Sequence, residues 1–106
     1  MAKKKRYVNK KLAMIVSELN CCLSEFGTAT NCSGGVQAHH LLKPWDGSRG
    51  MSMRASDKNL IPLCYRHHAE LHDQLGTEAN LFDKYGLAPH FGQMLAEDIY
   101  KEFADD

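Results

Sequence analysis

From Asn9 to Asn20, Leu12, Ile15, Val16 and Leu19 recur at helical spacing, with Lys10, Lys11, Ser17 and Glu18 on the other side. The spacing predicts an amphipathic helix whose apolar stripe faces a core. The periodicity then stops. Residues 21–35, CCLSEFGTATNCSGG, are rich in turn formers and predict a loop carrying three Cys. Val36 to Leu42 alternates loosely and reads as a short strand. Lys43 to Ser56, with Pro44, Gly47, Ser48 and Gly50, reads as a long loop, and loops of that length in compact domains are usually functional or mobile. Its Trp45, the sole Trp, is expected to cover the side of a small core. Ser56 to Asn59 makes a turn into a second short strand ending at Cys64. A histidine-bearing helix then runs to about Leu75 and is closed by Gly76. Thr77 caps a helix over 78–85 bearing Leu81, Phe82 and Tyr85. Pro89 opens the last helix, where Phe91, Met94, Leu95, Ile99 and Phe103 mark an apolar stripe, with Met94 expected as core filler. The fold class is therefore α+β: one small domain over 1–106, with a basic arm at 1–8 that has little reason to order by itself and C-terminal helices over about 77–104.

At 106 residues the chain sits near the size where a metal is a common aid to a modest core. It has no apolar run long enough to span a bilayer and no secretory signal pattern, so a soluble cytoplasmic protein without a membrane partner is expected. In that setting, four Cys interleaved with His favour metal binding over disulfides. Net charge is zero, with 13 basic and 13 acidic residues, which excludes a broadly basic nucleic-acid coat. The distribution is uneven: Lys3, Lys4, Lys5, Arg6, Lys10 and Lys11 crowd one end, and Glu97, Asp98, Glu102, Asp105 and Asp106 the other. The basic end fits either contact with phosphates or a solvated terminus.

The densest chemistry lies in Cys64-Tyr65-Arg66-His67-His68-Ala69-Glu70-Leu71-His72. On a helix His68 and His72 stand at i and i+4, so both imidazoles project from one face and can share an ion. Cys64 and His67 fall on another face as a C-x-x-H pair, a spacing that suits two corners of a tetrahedral zinc site. Each pair needs further ligands, and the candidates upstream are Cys21, Cys22 and Cys32 for one and His39-His40 for the other. His39 and His40 on a strand point to opposite faces, so one can bind metal where its neighbour cannot. Arg49, Arg54, Lys58 and Arg66 border the region and suit phosphate contacts, scattered solvated charge being the plain alternative for each. His90 matches no motif and reads as a surface residue.

The order His39-His40, then Asn59, then His68-x-x-x-His72, set in the text VQAHHL and SDKNLIPLCYRHHAELH followed by Gly76, resembles the HNH endonucleases of the ββα-metal class. The Asn-to-His and His-to-His spacings look like those of colicin-type members, and the text is similar to small phage- and prophage-encoded HNH proteins. The resemblance covers roughly residues 20–76. It implies a ββα-metal core in which His39, His68 and His72 hold a catalytic divalent ion (Mg, Mn, Ni or Zn). His40 would be the general base, Asn59 the residue that pins the loop behind it, and water the nucleophile. The activity implied is hydrolysis of DNA to 5′-phosphate and 3′-hydroxyl ends, in a phage or prophage setting where a recombination or packaging protein is the expected partner. It also implies a structural zinc, with Cys64 and His67 as the downstream half. The upstream half departs from the family's C-x-x-C; Cys21 with Cys32 is expected, since Leu23 then takes the usual apolar position, with Cys22 as the alternative ligand. The rival reading is a non-catalytic, zinc-stabilised module that binds nucleic acid or docks a partner through its acidic C-terminal helix.

Overall fold

The computed structural model describes residues 6–47 and 54–104. Helix α1 (Lys10–Ser17) starts where Asn9 Oδ1 accepts from the Leu12 N–H at 2.9 Å, and it buries Leu12 and Val16. It ends at Ser17, short of the expected Asn20, because the N–H groups of Glu18 and Leu19 turn back to the carbonyls of Ile15 and Val16. The expected loop over 21–35 contains a further helix, α2 (Cys22–Glu25), closed by Ser24 and Glu25 N–H groups donating to the Cys21 carbonyl. One turn is too short to leave a periodic pattern, so the sequence did not reveal it.

Strands β1 (Val36–His40) and β2 (Leu60–Cys64) pair antiparallel, with Val36 opposite Cys64 and His40 opposite Leu60. The first strand stops two residues before the expected Leu42. Beyond His40, the Leu41 N–H donates to the Asn59 carbonyl, and the Leu42 N–H to the Glu78 carboxylate at 2.7 Å. Asp57–Asn59 forms a single 3₁₀ turn, capped by Ser56, that delivers the chain into β2. Pro62 is tolerated in β2 because each strand of a two-stranded sheet has one free edge.

Helix α3 (Tyr65–Glu70) continues into a π-helical turn over Leu71–Leu75, and Gly76 ends it at φ 77° with its N–H on the Leu71 carbonyl at 2.7 Å. Helix α4 (Glu78–Lys84) is capped by Thr77 as expected, and α5 (Phe91–Phe103) completes five α-helices among the described residues. None of these is long and apolar enough to cross a membrane.

All five residues of β2 are buried, so this strand is the centre of the core. Leu60 joins Leu12, Val16 and Ile99 on the side covered by α1 and α5. Ile61 and Leu63 join Leu23, Leu41, Leu71, Leu81 and Phe82 on the other. Each such fully buried side chain is worth roughly 1.5–3 kcal/mol of transfer free energy. Helix α5 approaches closely because residue 92 is Gly: a Cβ there would lie 2.8 Å from the Phe82 ring.

One expectation is corrected here. Met94 is not core filler: it is 52% exposed, on the outward side of α5, while Gly92, Ala96 and Ile99 turn inward. Residues 6–8 of the basic arm are described, and there Tyr7 is held by the rest of the fold. Tyr7 accepts the Asp57 N–H on its carbonyl at 3.0 Å and packs its ring edge-on against Tyr100 at 5.7 Å, an aromatic anchor that the charge pattern concealed. Trp45 does cover the core, with its indole N–H on the Lys58 carbonyl at 2.7 Å. Lys3, Lys4, Lys5, Asp105, Asp106 and the candidate phosphate ligand Arg49 lie outside the described residues.

Candidate metal centres

Cys21, Cys32, Cys64 and His67 converge so that their donor atoms all lie within 4.8 Å of one another. The three Sγ atoms stand 3.8, 3.5 and 3.1 Å from His67 Nδ1. Zn–S and Zn–N bonds in a tetrahedral site imply about 3.6 Å between a sulfur and a nitrogen ligand, so the donor set fits zinc. Cys21 precedes α2, Cys64 ends β2, and His67 lies in the first turn of α3, where it is fully buried. The loop carrying Cys32 is tied to α3 by Tyr65 N–H on the Gly35 carbonyl and Arg66 N–H on the Ser33 carbonyl. Gly34 makes that approach feasible, since it has φ 79° and a Cβ would fall 2.5 Å from that of Tyr65.

The electrostatics single out one thiol. Burial opposes ionisation of Cys64, but the backbone N–H groups of His67 and Ser33 and the neighbouring thiols of Cys32 and Cys21 outweigh it and hold its pKa below the usual range. Desolvation of its sulfur pushes the Cys32 thiol up to about 12, although the residue as a whole is exposed. Cys22, the alternative ligand, is fully buried in the core, outside the donor cluster; burial and the nearby thiols drive its pKa upward.

The second cluster is His39, His68 and His72, whose donor nitrogens again lie within 4.8 Å of one another. His39 Nδ1 and His68 Nε2 are 3.1 Å apart, near the roughly 3.3 Å expected of two nitrogens on one tetrahedral zinc. His39 is buried, His68 intermediate and His72 exposed, so the set is open on one side. A cleft of about 240 Å³ lies there, lined by Gln37, Tyr65, His68, Ala69 and His72. Burial, together with the neighbouring imidazoles of His39 and His72, lowers the pKa of His68 to about 4, leaving it neutral at pH 7.

Outer partners direct lone pairs into both clusters. His39 Nε2 donates to the buried Glu78 carboxylate at 2.9 Å, which leaves Nδ1 as the ligand atom. His68 Nδ1 donates to Gln37 Oε1, which leaves Nε2. His67 Nε2 donates to Asn31 Oδ1 at 2.8 Å, which leaves Nδ1 facing the thiols. Such outer hydrogen bonds set the tautomer and ring orientation of ligating histidines.

His40, the last residue of β1, projects to the other face of the strand, as the period of two requires. Its Nε2 lies 2.7 Å from Asp57 Oδ1. Burial holds its pKa below the ordinary histidine range against the influence of Asp57, and the positive charges of Arg54 and Arg6 act with burial. Asn59 is fully buried; its Oδ1 accepts the Trp45 N–H at 2.8 Å and its Nδ2 donates to Asp46 Oδ1 at 2.8 Å, so it fastens the start of the 43–56 loop to the turn before β2. Of the candidate phosphate ligands, Arg54 and Arg66 are exposed, and Arg66 acts electrostatically on His67. The Lys58 ammonium sits over the Tyr7 and Tyr100 rings at 5.5 and 5.4 Å.

Residues 1–96, which include both clusters, match the family described as "Protein of unknown function (DUF968)". The chain belongs to this family. The DUF968 chain is also 34% identical over 89 residues to "Uncharacterized protein YdfU" of Escherichia coli (strain K12), an alignment that takes in 81% of this chain and 21% of that protein. It thus spans about a fifth of that relative's length. No solved structure matches it.

Several residues of the DUF968 chain that serve these sites carried no recognisable signal in its sequence. Glu78 reads only as an acid in the first turn of a helix, yet it is buried against His39. Asp57, Gln37 and Asn31 are single polar residues in turns or on a strand edge, and only the fold brings them to histidines. Tyr65, 62% exposed beside the three-histidine cleft, could have been noticed as an aromatic flanking the metal-ligand run.

Proposed function

We propose that this chain is a metal-dependent DNA endonuclease with an HNH-type ββα-metal core. The observation that carries the reading is the pairing of an open three-histidine set with a fourth imidazole, His40, held apart from it on the opposite face of the same strand. A purely structural metal site has no use for that fourth residue. His39, His68 and His72 would hold the divalent ion, Mg, Mn, Ni or Zn, and Cys21, Cys32, Cys64 and His67 a structural zinc. When bound, the ion supplies positive charge for the phosphorane oxygens and the departing 3′ oxygen.

The chain's own residues divide the remaining work. His40, neutral at pH 7, takes the proton from the attacking water. Asn59 acts without touching substrate, because it is buried and holds the loop behind the base. Arg54 and Arg6, whose charges reach His40, suit a phosphate of the substrate backbone, and the exposed Tyr65 ring offers a stacking surface for a base beside the cleft. A cytoplasmic, phage- or prophage-encoded enzyme working with a recombination or packaging partner completes this reading.

Plasmid cleavage in magnesium, manganese, nickel and zinc tests it, with His40→Ala run beside the wild type and metal counted on both. The expected result is nicking or cutting by the wild type and a loss of about 10²–10⁴-fold in His40→Ala at unchanged metal content. Equal behaviour of the two proteins, with zinc bound and no substrate cut, would replace the nuclease by a zinc-stabilised nucleic-acid adaptor.

A further inference from the structure

We infer that Asp57 is a positioning residue for His40, one that fixes which ring nitrogen carries the proton; this rests on the reading of His40 as the general base. The Asp57 side chain is 8% exposed and both its oxygens are engaged. Oδ1 lies 2.7 Å from His40 Nε2, and Oδ2 accepts the backbone N–H of Asn9 at 2.8 Å. The Asp57 N–H in turn donates to the Tyr7 carbonyl at 3.0 Å. The carboxylate is therefore clamped between the N-terminal segment and the end of β1, at the start of the 3₁₀ turn that leads into β2.

A carboxylate only accepts hydrogen bonds, so Nε2 of His40 must be the protonated nitrogen, and Nδ1 keeps the lone pair offered to water. Water gives its proton to Nδ1, its oxygen attacks phosphorus, the bond from phosphorus to the 3′ oxygen breaks, and that oxygen takes a proton from solvent water to become the 3′-hydroxyl. Asp57 takes no proton in this scheme; its charge stabilises the imidazolium that forms.

The substitution Asp57→Asn is informative because of the second hydrogen bond. An amide replaces one of the two acceptor oxygens by a donor NH₂. The Asn9 N–H is a fixed donor, so the remaining oxygen must face Asn9 and the NH₂ must face His40. His40 Nε2 would then have to accept, which moves the proton to Nδ1 and removes the lone pair from the nitrogen offered to water.

The test uses histidine-labelled full-length protein at about pH 8, where neutral imidazole dominates. Long-range proton–nitrogen NMR assigns the tautomer of His40, identified by the signals lost in His40→Ala. The expected result is an Nε2–H tautomer in the wild type and an Nδ1–H tautomer in Asp57→Asn. Cleavage by Asp57→Asn should fall on the order of 10²-fold or more in kcat, with KM and metal content unchanged. An Nδ1–H tautomer in the wild type overturns the inference, and so does an unchanged tautomer in a folded Asp57→Asn. The wild-type spectrum decides alone if the variant does not fold. A tautomer that switches while the wild type cuts nothing would leave Asp57 as the residue that orients His40 and refute the nuclease.

Discussion

The two clusters draw on one short element yet differ in almost every physical respect. Cys64 and His67 serve the first, and His68 and His72 the second. His67 and His68 are neighbours, and the roughly 100° between successive residues of a helix turns one ring into the core and the other toward the surface. The first cluster has four donors, three of them sulfur, and two of its cysteines and its histidine are buried. The second has three nitrogen donors and an exposed side that opens on a cleft. A closed sulfur-rich set suits an ion that holds the fold, whereas three imidazoles with a free side suit one that meets a substrate. A chain of this size can thus place two different donor clusters side by side, by rotating successive residues about one axis.

The largest test of that contrast compares Cys64→Ser with His68→Ala. Zinc binding at a closed site is worth about 10–16 kcal/mol in apparent free energy, of the same order as the whole stability of a domain. Cys64→Ser should therefore abolish the cooperative thermal transition and the cluster's zinc, while His68→Ala keeps both. Circular dichroism with elemental analysis reads the difference, and equal loss in the two variants would erase the distinction between the centres.

A smaller effect is expected from Glu78→Gln. Glutamine still offers the Leu42 N–H an oxygen, but it takes the negative charge from behind His39. Metal affinity at the three-histidine set should fall about 10–100-fold in calorimetric titration, with the cysteine cluster's zinc retained. Unchanged affinity would mean that Glu78 serves the fold alone.

The smallest concerns adjacent thiols. Cys22→Ala should keep its zinc and cost about 1 kcal/mol of core packing, read as a modest fall in the unfolding midpoint. Cys21→Ala should lose zinc in the same assay. The reverse pattern would hand the ligand role to Cys22.

The placing of residues 64 and 67 in one donor cluster and of 68 and 72 in the other was legible in the sequence because a helix imposes its geometry on residues three and four apart. The opposite facing of His39 and His40 was legible because a strand alternates. The caps at Thr77 and Gly76 were equally local. Met94 was misread because a stripe of spacing does not say where a helix's inward face ends, and α5 turns Gly92 and Ala96 to the core beside the expected Ile99. Helix α2 was missed because one turn has no period.

What the sequence determined by itself is therefore the longer elements, α2 excepted, and the residue types able to bind metal, all governed by interactions between near neighbours along the chain. The tertiary structure alone decided that Cys21 and not Cys22 joins Cys32, that Glu78 stands behind His39, and that Asp57, held by Tyr7 and Asn9, meets His40. The side-chain contacts of Glu78 with His39 and of Asp57 with His40 and Asn9 span 17 to 48 positions. Over such separations a carboxylate carries no mark of its partner until packing of the core brings the two together.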